Sequence, residues 1–126
     1  MAYENVIQTF PFKAEAAMSS TDFRFVKSGT TVDLVDLCGA GEQMIGIRRN
    51  SPAINLPVEV VSIGSIAKLT IGSGGVAKGA YIKSGSAGEG ISTATDKDIY
   101  GAVALEVGDE HDVISVLVTI GTISHA

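Results

Sequence analysis

Two stretches of this chain repeat one plan. Met44–Gly64 (MIGIRRNSPAINLPVEVVSIG) and Tyr100–Gly121 (YGAVALEVGDEHDVISVLVTIG) each place a glycine inside an apolar strand, at Gly46 and Gly101. Each passes through a polar turn and closes on a β-branched strand that ends Ile-Gly. A doubled strand–turn–strand unit argues for a small closed β body. β-Branched residues suit a pleated, half-buried surface, and a glycine within a strand marks a bend or a close backbone approach. Turn signals recur along the rest of the chain every 8–12 residues or so, the mark of a sandwich or barrel.

The pattern predicts strands near 23–27, 32–37, 44–48, 58–63, 66–71, 80–83, 99–106 and 113–120. Gly39-Ala40-Gly41, Asn50-Ser51-Pro52 and Gly72-Ser73-Gly74-Gly75 are turns between them. Ser84–Gly90 reads as the most flexible stretch. Alternation predicts a core of Val32, Leu34, Ile45, Ile47, Val58, Val60, Ile66, Leu69, Ile82, Val103, Leu105, Val116 and Val118. A register error of one residue would exchange faces in any strand. Helix is limited to single turns, one within Ala14–Met18 and one at Gly75–Lys78. The fold class is therefore all-β, a small β-barrel or compact β-sandwich with an extended N-terminal arm.

Length sets the organisation. A chain of 126 residues fits one domain and buries enough surface for a core without staples. Residues 1 to about 20 differ from the remainder, which divides the chain into an arm, 1–20, and a β-barrel domain, 21–126. The arm has no glycine, but it holds Tyr3 and the run Phe10-Pro11-Phe12. Pro11 disfavours helix through Phe10, so the run reads as extended. Its aromatics either pack into the chain's own core or dock on another subunit, since aromatics are enriched in interface cores. Tyr3, Phe10, Pro11 and Phe12 are thus the candidate partner-binding residues. Docking on a partner is the favoured reading. Under it, a chain beginning at Ser19 stays folded and loses attachment, leaving Gly72–Gly75 and Ser84–Gly90 as the other candidate surface.

Signals for chemistry are sparse. Cys38 is the only cysteine, so an internal disulfide and a C-x-x-C motif are excluded. Gly72–Gly79 fails as a phosphate loop, because Lys78 is followed by glycine and no long helix follows. Asp109-Glu110-His111-Asp112 is dense in ligand types, but four consecutive turn residues cannot all face one point, and the cluster reads as a solvated turn. No G-x-S-x-G is present. The expectation is a non-enzyme with no cofactor and no metal. The net charge is −5 and the basic residues are scattered, so the electrostatic footprint for nucleic acid is missing. Only Arg48 and Arg49 are adjacent, and neighbours on a strand face opposite ways. They flank a barrel wall or meet a partner's acidic residues. No apolar run reaches the roughly 18 residues that span a bilayer, and the N-terminus lacks the features of a secretory signal. No membrane partner and synthesis in a cytoplasm are expected.

The ordered pieces resemble a known group. Met44-Ile45-Gly46-Ile47 is followed by Val58–Gly64, then Lys78-Gly79-Ala80-Tyr81-Ile82. Ile99–Glu106 and Ile114–Val118 come last. This order is similar to the capsid decoration, or cement, proteins of tailed bacteriophages, over roughly residues 23–121. In that family a Gly-Val-Ala strand, a turn-strand with Val-Tyr and a closing Ile-Gly-Val-Ala-Leu-Glu-Ala strand recur. Ala80-Tyr81-Ile82 stands where the family commonly has Val-Tyr-Trp. The resemblance implies a β-barrel on the outer face of the virion head that reinforces the shell. Its partners would be the major capsid protein and neighbouring copies, as a homotrimer on the shell. A small-ligand or carbohydrate-binding β-module is the alternative.

Overall fold

The computed structural model describes residues 2, 4–6, 9–15, 23–31, 33–50, 54, 56–61 and 63–124, with the backbone alone for 9–11. Ten strands follow in order: β1 (Thr9–Ala14), β2 (Phe25–Ser28), β3 (Leu34–Leu37), β4 (Gly46–Arg48), β5 (Pro57–Val61), β6 (Ile66–Thr70), β7 (Tyr81–Ser84), β8 (Gly90–Thr93), β9 (Ile99–Ala104) and β10 (Val113–Thr122). No helix occurs among the described residues. The first five strands close a barrel in the order β1-β3-β2-β4-β5, and the others form a sheet in the order β6-β10-β9-β7-β8. The fold is all-β, as the sequence pattern implies. The repeated units become antiparallel neighbours, one in each sheet: β4 with β5, and β9 with β10.

Small apolar side chains make up most of the barrel's own cluster. Ala14, Val26, Val35, Val58 and Val60 form one buried cluster, with Phe12 and Ile45 packed against it. A larger cluster takes Phe25, Ile47 and Val61 from the barrel together with Ala67, Leu69, Ile82, Ala102, Ala104, Val116 and Val118 from the second sheet. Neighbouring residues therefore serve different cores: Phe25 and Val26 on β2, Val60 and Val61 on β5. That double use explains the β-branched runs, since a strand buried on both faces loses its alternation.

β1 enters the barrel directly. It pairs antiparallel with β5, from Thr9 opposite Val61 to Lys13 opposite Pro57, and parallel with β3 at Lys13 and Ala14. Pro11 lies opposite Glu59, at a level where β3 is not paired to β1. A missing N–H is tolerated where a strand has a neighbour on only one side. The expected boundary between residues 20 and 21 thus does not set Thr9–Ala14 apart from the body. Further upstream, Asn5 bridges Ile66 with hydrogen bonds of 2.8 and 2.9 Å, which covers the outer edge of β6. The helical turn expected from Ala14 begins instead at a strand end, and residues 16–20 lie outside the described residues. At the other expected turn, Val76 bridges Gly108.

The expected core needs correction in two strands. In β3 the buried residue is Val35, whereas Leu34 is half-buried and Val32 lies outside the described residues. In β9 the buried residues are Ala102 and Ala104, and Val103 and Leu105 are half-buried. Both are one-residue register differences. In β9 the smaller side chains face inward because the second sheet curls tightly: Ile71 bridges Gly90, linking the ends of β6 and β8. Ile45 and Ile66 are also half-buried, and Ile47, Val58, Val60, Leu69, Ile82, Val116 and Val118 are buried as expected.

Candidate partner-binding surface

The four aromatic-arm candidates do not form one described site. Tyr3 lies outside the described residues, as do the side chains of Phe10 and Pro11. Phe12 is half-buried against the barrel cluster, opposite Val58. The arginine pair is also split. Arg48, opposite Val60 and therefore on the same face, is fully buried, and its Nη1 donates to Asn50 O at 2.5 Å. Arg49 pairs with Glu4 at 3.2 Å. Both arginines thus have partners within this chain.

The outer face of the second sheet carries an apolar row. Cross-strand partners share a face. The register aligns Thr93, Tyr81, Val103, Leu117 and Ile66 across five strands. Tyr81 is exposed, whereas Val103, Leu117 and Ile66 are half-buried. Tyr81 packs on Tyr100 with ring centroids 4.5 Å apart. A bulge places Tyr100 there. Between the pairs Val118–Ala102 and Gly121–Tyr100, the two residues Thr119 and Ile120 oppose Gly101 alone. Bulges of this kind re-aim side chains. Below the tyrosines, Asp98 Oδ2 accepts hydrogen bonds from Thr93 Oγ1 at 2.5 Å and Lys83 Nζ at 3.1 Å. These two donors, Thr93 first, hold its carboxyl below the usual range.

At one end of this sheet three loops meet around a pocket of about 190 Å³. Gly72 and Ser73 line it from the first loop, Glu89 from the second, and Glu110 and His111 from the turn between β9 and β10. Arg24 lines it from the segment before β2. Phe23 lies in the left-handed region at φ 56°, uncommon for an aromatic residue, with Lys68 Nζ 5.5 Å over its ring. Thr70 N–H donates to Phe23 O at 2.7 Å, and Phe25 N–H donates to Gly88 O at 2.8 Å. Residues 23–25 are thereby pinned between β6 and the second loop. Phe25 enters the large core, and Arg24 is left at the pocket wall.

The second loop is tied at several points, unlike the flexible stretch expected for Ser84–Gly90. Gly85 N–H donates to Glu89 O at 2.7 Å, and Ala87 N–H donates to Glu89 Oε1 at 2.9 Å. The turn at 109–112 is solvated as expected. Asp112 N–H reaches Asp109 O at 3.0 Å, and the Asp109 N–H reaches Asp112 Oδ2 at 2.9 Å. Val107 is 71% exposed and Val113 39% exposed, and they flank this turn. Val113 is paired with Thr70, which lines the pocket. The sequence pointed to two of the three loops, and the chain crossing at Arg24 is what it missed. The available signal was a lone arginine between two aromatics, Phe23-Arg24-Phe25.

No family model matches the sequence, and no curated protein matches it. Among solved structures, the N base of head fiber gp8.5 in bacteriophage phi29 is similar. Its TM-score is 0.72 over 94% of this chain and 98% of that chain, at 12% sequence identity. At that identity the likeness is one of fold.

Proposed function

We propose that this protein is a structural component of a tailed-phage head that binds the outer face of the shell and reinforces it. The observation that carries the reading is the fold shared with a head fiber base along nearly the whole of both chains. The ordered strand motifs, which resemble capsid decoration proteins, point the same way independently. In this reading the protein binds and does not catalyse. Its partners are the major capsid protein and neighbouring copies, assembled as a trimer on the shell, and its location is the virion exterior.

The surfaces described above suit that role. An apolar row with a tyrosine pair offers buried area, and a loop pocket with an apolar rim offers specificity. Small contacts repeated over a shell add up through multivalency. A small-ligand or sugar site is less well supported. The loop pocket, about 190 Å³, falls below the roughly 300–1,000 Å³ of typical ligand sites. Among the described residues no Phe or Tyr lines it.

The test is to mix purified protein with heads that lack it, sediment the heads and count bound copies. Saturable binding is expected, with bound protein accessible to antibody on intact heads and with heads that resist heating better. Protein left in the supernatant at micromolar concentration overturns the reading.

A further inference from the structure

We propose that Tyr81, Tyr100 and Asp98, on the outer face of the second sheet, form an anchor site for an arginine side chain of a protein partner. The partner's being a head protein rests on the function proposed above; the arginine chemistry does not.

The aromatic half of the site is built by a departure from the regular ladder. The bulge opposite Gly101 re-aims Tyr100, and its ring meets that of Tyr81 at 4.5 Å between centroids, tilted by 40°. The pair is not core. Tyr81 is 44% exposed, and neither tyrosine hydroxyl has a hydrogen-bond partner among the described residues.

A carboxylate stands beside the rings. Thr93 lies directly opposite Tyr81, and its Oγ1 donates to Asp98 Oδ2 at 2.5 Å. Lys83, two residues along the same face of β7 as Tyr81, donates to the same oxygen at 3.1 Å. Both bonds thus fall on one oxygen, fix the side chain and favour its charged form. The other oxygen, Oδ1, has no hydrogen-bond partner among the described residues and is not buried. It is a fixed acceptor beside an aromatic surface.

One side chain matches both halves. A guanidinium is planar and stacks on a tyrosine ring, and its N–H donors lie in that plane, where they reach a carboxylate oxygen beside the ring. An ammonium has no flat face and is more strongly hydrated. A carboxylate ligand would meet the charge of Asp98, and a wholly apolar group would strip water from Oδ1 and leave it unpaired. The net charge of −5 favours a basic partner over a second copy of this chain. The three arginines of the chain are also bonded within the molecule: Arg24 to Ala87 O, Arg48 to Asn50 O and Arg49 to Glu4. The arginine therefore comes from a different protein. Half-buried Val103 and Leu117 continue the row from Tyr81 and supply apolar surface that excludes water from the contact. Such a surround is typical of interface hot spots, in which tyrosine and arginine are enriched.

Proton NMR of the tyrosine rings tests the chemistry without heads. The chain has three tyrosines, and the two ring signals are assigned by their loss in Tyr81→Phe and Tyr100→Phe. At equal concentrations, Nα-acetylarginine amide should shift both signals more than Nα-acetyllysine amide or methyl β-glucoside does. Asp98→Asn should remove most of that difference. An equal or larger shift with the lysine or the sugar overturns the arginine assignment, and an undiminished difference in Asp98→Asn overturns the part of the carboxylate. In the head-binding assay, Tyr81→Ala and Asp98→Asn should each bind about tenfold more weakly, whereas Tyr81→Phe keeps the ring and should bind as wild type does. All variants are compared below their melting temperatures, so that lost binding is not lost fold. Undiminished binding by both Tyr81→Ala and Asp98→Asn overturns the site's role in attachment. Binding by Tyr81→Phe as weak as that of Tyr81→Ala overturns the stacking. Wild-type protein that fails to bind heads overturns the head reading, and the ring shifts still decide the arginine chemistry.

Discussion

Tyr100 closes over Gly121. A Cβ on Gly121 would stand 2.5 Å from the Tyr100 hydroxyl oxygen and 2.8 Å from its Cζ. The Ile-Gly ending of the second repeated unit thus makes room for a tyrosine from the neighbouring strand, and that tyrosine packs against Tyr81. Gly121→Ala should push Tyr100 off its site and break the ring pair. The expected loss is about 0.5–1.5 kcal/mol, the usual worth of an aromatic pair. The chain has no Trp and three Tyr, so near-ultraviolet circular dichroism reports on the pair. An unchanged spectrum in a folded Gly121→Ala variant would falsify this placement.

Gly46 and Gly101 occupy corresponding places in the two repeated units but should respond differently. A Cβ at Gly46 would meet Val60 Cγ1 at 2.6 Å and the backbone oxygen of Val61 at 2.7 Å. At Gly101 it would meet Met44 Cγ and Phe25 Cε1, both at 2.7 Å. Methionine can rearrange, whereas a ladder carbonyl cannot move without shifting β5. Gly46→Ala should therefore cost more than Gly101→Ala, within a range of about 1–3 kcal/mol for overpacking. Urea midpoints of the two variants give the order, and the reverse order would sink the argument.

A chain beginning at Ser19 lacks β1, the Asn5 bridge and the Glu4–Arg49 pair. The sequence alone favours a body that stays folded after this cut. The strand pairing reverses that expectation, because β3 and β5 both lose their neighbour and Phe12 leaves the barrel cluster. The melting temperature should fall by more than about 10 °C, corresponding to a loss of a few kcal/mol. Truncated protein that melts with the full-length chain would contradict the place of β1 in the barrel.

The reading of strands from sequence succeeded where turns and β-branched runs agree, from β2 to β10 apart from β8. Gly90-Ile91-Ser92-Thr93 has one large apolar residue, too little for a pattern, and its strand state depends on pairing with β7. β1 read as extended, with its own core or a partner left as the place of its aromatics, and docking was favoured because local sequence does not name a strand's neighbours: they are β3 and β5, some 20 and 50 residues away. Faces were hardest where both sides of a strand are apolar, as in β9, because alternation then carries no information. The loop pocket was half legible. Glycine-rich loops announce themselves, but which of them meet is set by the closure of the sheet. Nothing in the sequence shows that Arg24 reaches across to Ala87 of the second loop.

Acid should weaken the fold through identifiable carboxylates. Asp98 is held below its ordinary value by Thr93 and then Lys83, Glu42 by Lys27 and then the Gly39 N–H, and Glu15 by the N–H and hydroxyl of Thr30. A depressed folded pKa means that the unfolded chain binds the proton more readily. Stability from these groups is complete above the unfolded values, near pH 4, and is lost as pH falls through the folded ones. Melting temperature should thus hold from pH 7 to about 5 and decline below about 4. Asp98→Asn should flatten part of that decline, and a parallel curve for the variant would rule out Asp98 as a contributor.

The wall shared by the two cores has a consequence for how the molecule comes apart. Phe25 and Val61 serve one hydrophobic cluster while Val26 and Val60 on the same strands, β2 and β5, serve the other, and Ile47 on β4 joins the first. Neither sheet can lose its packing without stripping one side of β2, β4 or β5. Heat should therefore melt the chain in a single cooperative step, with calorimetric and van't Hoff enthalpies equal, although two sheets are present. Such coupling removes the weak seam along which a two-part molecule would open. Load applied to either sheet is resisted by both.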